Sequence, residues 1–88
     1  MGKDAEKKQL INVTARAPFH VYYEGAAESL TAKNKVGKFD ILPGHADFFS
    51  MLDKGDVTIT NKTEQVIFPI THGIVTVHND EVLLFVNM

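Results

Sequence analysis

This sequence predicts an all-β domain, a sandwich or a barrel, on three observations. From Leu10 onward, turn signals punctuate the chain at a spacing of roughly 8–12 residues. The segments between them alternate apolar and polar with period two, or are short apolar runs bounded by turns. No stretch keeps a helical period long enough to compete.

The elements follow in order. In "LINVTARA", Ile11, Val13 and Ala15 share one face while Asn12, Thr14 and Arg16 share the other, until Pro18 ends the run. "FHVYYEG" then sets Phe19, Val21 and Tyr23 against His20 and Tyr22, and "AESLTAK" sets Leu30 and Ala32 against Ser29 and Thr31. "NKVG" reads as a turn before the alternating "KFDIL". Pro43 and Gly44 then take the two central positions of a type II turn, the second of which favours glycine. Ile41 and Leu42 before that corner and Phe48-Phe49 after it should anchor it, with His45 hydrogen-bonded to its backbone. Of the two adjacent rings, one is expected in the core and the other on the surface. "ADFFSMLDKG" stays ambiguous, because Phe48, Phe49 and Leu52 also have helix spacing.

"DVTITN" is the cleanest strand, with Val57 and Ile59 inward. Pro69 in "QVIFPIT" cannot donate to a ladder, which predicts an edge or a bulge. "GIVTVH" and "EVLLFV" flank Asn79-Asp80, a pair that tolerates the left-handed backbone of a tight hairpin. Val82 to Val86 is apolar on both faces, so both should be covered, one of them by another protein.

Composition narrows the function. Eighty-eight residues make one domain, expected as a polar tail over residues 1–9 and a folded unit over 10–88. Without cysteine there is no disulfide framework, thiolate metal site or thiol nucleophile. A net charge of −2 is a poor footprint for nucleic acid. "MGKDAEKKQL" lacks the apolar segment of a signal peptide, and no apolar run is long enough to span a bilayer as a helix. The chain is expected to be soluble, cytoplasmic and active within a complex.

Catalytic chemistry finds little support. The four histidines (His20, His45, His72 and His78) include no His-x-His pair, and six residues of strand put His72 and His78 about 20 Å apart. No nucleophile elbow or phosphate-binding glycine loop is present, and the acids cluster at loops and strand ends. No catalytic, cofactor or metal residue is therefore expected. Lys33, Lys35 and Lys38 bracket one turn, as either a solubilising loop or a charged contact surface.

The corner Ile41-Leu42-Pro43-Gly44-His45-Ala46, with Gly37 upstream, Gly25 after an aromatic pair, Gly73 and Asn79, resembles the amino-terminal domain of the epsilon subunit of rotary F-type ATP synthases. The resemblance runs from Leu10 to Val86. It implies a flattened β-sandwich of about ten strands in two sheets, in a short form ending at Met88 without the family's carboxy-terminal helical hairpin. It also implies a non-catalytic central-stalk subunit that needs no cofactor. Such a subunit grips gamma and rests on the membrane rotor ring, peripheral at the cytoplasmic face of a bacterial membrane. The candidate partner contacts are then Lys35, Lys38, Asp40, His45 and Phe49, with Pro43 and Gly44 as the structural turn. Three residues depart from the family pattern: Lys38 for an acidic or polar residue, Asp40 for glycine or alanine, and His72 for the first of two glycines. The competing expectation is a stand-alone sandwich that binds a small ligand such as a carbohydrate through Tyr22, Tyr23 and His20.

Overall fold

The computed structural model describes residues 9–87. The expected tail over residues 1–9 lies, apart from Gln9, outside the described residues. Nine strands follow one another: β1 Ile11–Ala17, β2 His20–Ala27, β3 Ser29–Lys33, β4 Lys38–Ile41, β5 Phe48–Leu52, β6 Gly55–Thr60, β7 Gln65–Ile70, β8 Gly73–His78 and β9 Glu81–Val86. They form a five-stranded sheet ordered β2-β1-β9-β8-β5 and a four-stranded sheet ordered β4-β3-β6-β7. The sandwich is flattened, with Cα extents of 45 × 24 × 18 Å.

The alternation read from the sequence decides which side chains fill it. The five-stranded sheet turns Ile11, Val13, Ala15, Val75, Val77, Val82, Leu84 and Val86 inward. They meet Leu30, Ala32, Ile41, Val57, Ile59, Phe68 and Ile70 of the other sheet in one core. Most are β-branched, which suits a pleated and half-buried surface.

The chain switches sheets at four corners. Glu28 N donates to Thr60 O at 2.7 Å where β2 gives way to β3. Asp53 N donates to Lys33 O at 2.9 Å between β5 and β6. Between β7 and β8, the Asn87 side chain accepts from Thr71 N and Thr71 Oγ1, each at 2.9 Å. The fourth corner is Leu42-Pro43-Gly44-His45, where His45 N donates to Leu42 O at 3.1 Å and Gly44 has φ +84°. These are the hydrogen bond and positive φ of the expected type II turn.

The β8–β9 hairpin turns through Asn79 and Asp80, both with positive φ (47° and 64°), as its two-residue loop demands. Pro69 lies on β7, an edge strand, as the missing donor requires. The ambiguous "ADFFSMLDKG" supplies β5, and among the described residues there is no helix. Phe48 and Leu52 pack inward while Phe49 and Met51 point out, so strand pairing with β8 overrides the helix-like spacing.

One phase needs correction. Neither Phe19 nor Val21 shares a face with Tyr23: Phe19 is fully exposed in the turn between β1 and β2, and Val21 pairs with Arg16 on the outer face. A register shift between Ala15 and Arg16 leaves Tyr22 as the extra residue of a β-bulge, so simple alternation fails there. Both tyrosines pack against the core: Tyr22 stacks on Phe68 of the opposite sheet, ring centroids 4.2 Å apart.

Candidate partner interface

The two outer faces of the sandwich have opposite chemistry. On the four-stranded sheet the outward residues include Lys38 and Asp40, Ser29, Thr31 and Lys33, Asp56, Thr58 and Thr60, and Gln65. Thr31 Oγ1 donates to Asp40 at 2.6 Å across the β3–β4 ladder. Ile67 is the one large aliphatic residue exposed there. Such a face is at home in water.

The outer face of the five-stranded sheet is apolar in its middle. Register places Met51, Ile74, Phe85, Arg16 and Val21 in one row across the strands, and Phe49, Thr76, Leu83, Thr14 and Glu24 in the next. Phe49 is 63% exposed, Met51 69%, and Ile74 and Leu83 39% each. Scattered apolar residues on a surface need no explanation, but four exposed ones with the half-buried Phe85 among them, over three adjacent strands, form a candidate interaction surface. The apolar outer side of β9, foreseen from the sequence, is thus real: Leu83 and Phe85 stand among these five. Met51 and Ile74 were not foreseen, because their place beside Phe85 follows only from strand register.

The candidate contacts do not form a single site. Phe49 belongs to the apolar flank. Lys38 and Asp40 lie on the opposite outer face, and Lys35 on the exposed β3–β4 turn beside them. His45 is half-buried at the corner, its Nδ1 2.8 Å from Ala46 O and its ring 5.3 Å from that of Phe48. Pro43 and Gly44 hold that corner, and Gly44 N donates to Asp80 Oδ1 at 2.8 Å, locking it to the β8–β9 hairpin. His78 Nδ1 meets Asp47 Oδ2 at 2.9 Å nearby, an exposed contact worth little.

The ligand-binding alternative loses its platform. One face of Tyr22 is covered by Phe68, and His20 meets the same ring edge-on at 4.5 Å. The Tyr23 hydroxyl donates to Ala26 O and accepts from Asn61 Nδ2. Tyr22 thus has one face committed to the opposite sheet, and the polar end of Tyr23 is committed within the domain. Among the described residues, no three His, Cys, Asp or Glu stand together in a way that could hold a metal ion. No helix there is long and apolar enough to cross a membrane.

Two sheets of five and four strands packed face to face over one core, without a helix among the described residues, define the class as a β-sandwich domain. The chain belongs to the family described as ATP synthase, Delta/Epsilon chain, beta-sandwich domain, which matches residues 10–88. The ATP synthase epsilon chain of Trichlorobacter lovleyi is 30% identical over 82 residues, covering 93% of this chain and 57% of that one. The epsilon chain of Synechococcus elongatus is 30% identical over 77 residues, covering 88% and 56%. The chain therefore spans somewhat over half the length of these curated relatives. Among solved structures, the central stalk and c-ring of Tetrahymena thermophila mitochondrial ATP synthase superposes with a TM-score of 0.75 at 26% identity, covering 91% of this chain and 65% of that one. A chain of the Euglena gracilis mitochondrial ATP synthase gives a TM-score of 0.82 at 16% identity, covering 93% and 52%, a likeness of fold.

Proposed function

We propose that this protein is a non-catalytic rotor subunit of an F-type ATP synthase, joining gamma to the membrane rotor ring so that proton transport is coupled to ATP synthesis. In this reading it is peripheral, held at the cytoplasmic face of a bacterial membrane through the complex. The observation that carries it is the contrast between the two outer faces. A monomer has no use for Phe49, Met51, Ile74, Leu83 and Phe85 lined up on one sheet, whereas a subunit gripped along one flank does. Family membership and the central-stalk likeness support the same reading.

Gamma would cover the apolar flank, with Phe49 in the contact. Lys35, Lys38, Asp40 and His45 would meet the ring or another neighbour elsewhere on the surface. The test is affinity purification of a tagged copy from native membranes in mild detergent, beside a Leu83→Lys variant. Gamma, the catalytic subunits and the ring should accompany the wild-type chain. They should be lost from Leu83→Lys, whose isolated fold should melt normally because Leu83 already faces solvent. Wild-type protein recovered alone would overturn the assignment.

A further inference from the structure

The outer face of the five-stranded sheet is divided by strand as well as by row. Its contiguous apolar residues stand on β5, β8 and β9, whereas β1 and β2 carry Thr14, Arg16 and Glu24 there. Arg16 and Glu24 are both exposed, and neither side chain has an ion pair or hydrogen bond among the described residues. They belong to neighbouring rows, about 7 Å apart along the strands. Charge is also uneven from end to end. Arg16, Lys33, Lys35, Lys38 and Lys54 lie towards the end where β1 finishes, with Asp53 and Asp56. Glu28, Asp47, Glu64, Asp80 and Glu81 lie towards the other end, with Lys62 as the one lysine or arginine among the described residues there.

A face that pairs with a second copy of itself does so about a twofold axis, and two orientations suit a face built of strands. With the axis along β9, the central strand, β1 lies over β8 of the second copy and β2 over its β5. Register then sets Arg16 on Ile74 and Glu24 on Phe49, burying charges against apolar side chains, which is strongly unfavourable. With the axis across the strands, each strand lies over its own counterpart and runs the opposite way, at the angle of about 30° usual for packed twisted sheets. An axis between the two rows sets Met51 over Phe49 and Phe85 over Leu83. Arg16 comes over Thr14 of the second copy, one strand away from its Glu24, and symmetry repeats the contact. The basic end of each copy also meets the acidic end of the other.

We propose that the unassembled subunit forms an antiparallel twofold dimer through this face, with the apolar patches packed together and two reciprocal Arg16–Glu24 pairs between chains. Charge complementarity selects the occupant, since only a second copy turned end for end supplies both the apolar match and the opposite charges. Five strands about 4.8 Å apart and three rows about 7 Å apart make a flat footprint of about 500 Å². That is below the about 800 Å² per partner of a standard stable complex. The dimer is therefore weak, and a partner that covers more of the flank displaces it. Self-pairing keeps the patch out of water until then. The dimer goes beyond the assembly role proposed above and does not depend on it.

Sedimentation equilibrium of the isolated chain tests it. The mass should rise from 9.8 kDa at about 10 µM towards twice that value at about 1 mM. Arg16→Glu and Glu24→Arg should each weaken association about tenfold or more, because like charges then meet between the chains. Both residues are exposed, so both variants should melt as the wild type does. An equimolar mixture of the two variants should recover the wild-type association, because every acid of one chain then faces an arginine of the other. Pairing within a chain gives no such recovery. Isotope-filtered NOEs in a mixed-label sample should join Met51 of one chain to Phe49 of the other. A chain that stays monomeric to about 1 mM overturns the inference. So does association that both variants retain or that their mixture fails to restore. Interchain NOEs from Met51 to Val21 would assign the axis along the strands and also reject it. If the chain is monomeric yet gamma accompanies it from membranes, the dimer fails and the assembly assignment stands. If the dimer forms but purification finds no ATP synthase subunit, the assembly assignment fails and the dimer stands.

Discussion

Gly73 shows how closely the sandwich is packed at single positions. A Cβ built there would lie 2.8 Å from Phe85 O and 3.0 Å from Val86 Cγ1. The first of these is backbone and cannot rotate away, so Gly73→Ala should destabilise the domain by about 1–3 kcal/mol. Ile59, fully buried between the sheets, should cost about 2–5 kcal/mol when replaced by alanine. Denaturant midpoints of both variants check these values, and a negligible shift for Ile59→Ala would mean that β6 is out of phase. Asp80 combines a positive φ with a side chain that accepts from Gly44 N. Asp80→Asn keeps both properties and should be close to neutral. Asp80→Ala loses both, which should cost about 1–3 kcal/mol, chiefly from the unmade hydrogen bond and the strained backbone.

At the scale of the element, the β3–β4 hairpin and β5 differ in what their outward residues do. Lys38→Glu would turn an opposed pair of cations into opposite charges, so the isolated domain should stay within about 0.5 kcal/mol of wild type. Assembly should suffer instead. Unfolding of the isolated variant would show that Lys38 has a structural role that its exposure conceals. β5 carries the opposite lesson. Phe48 meets Phe39 at 5.4 Å and supports the closed side of the sandwich, whereas Phe49, one residue on, belongs to the flank. Phe49→Ser should therefore weaken partner recovery more than it lowers the melting temperature. The alternation of Val57 and Ile59, the edge position of Pro69 and the Asn79-Asp80 turn were all legible, because each depends on residues next to one another. The bulge at Tyr22 was not. A bulge is a matter of how two paired strands come into register, and "VYYEG" carries no local mark of it.

At the scale of the molecule, the pairing of β1 with β9 governs behaviour. The first and last strands run parallel in the middle of the five-stranded sheet, so almost the whole chain lies between two adjacent partners. Loop-closure entropy must be overcome before those contacts form. The domain should therefore fold in roughly milliseconds to seconds, which stopped-flow refolding can measure, rather than in microseconds. The same pairing completes the apolar flank by setting Phe85 beside Arg16 and Leu83 beside Thr14.

Most strands, their inward residues and the two sharpest turns were inherent in the order of amino acids, because period-two alternation and turn stereochemistry act over a few neighbours. The corner from Ile41 to Ala46 likewise carries the family's pattern in a few consecutive residues. Folding was needed to bring Met51, Ile74 and Phe85 into one row, to give Phe49 and Lys38 opposite faces, and to take up Tyr22 and Tyr23 within the sandwich. These outcomes depend on which strands become neighbours and in what register. That choice is made by a core assembled from the whole chain, and no short stretch of sequence contains it.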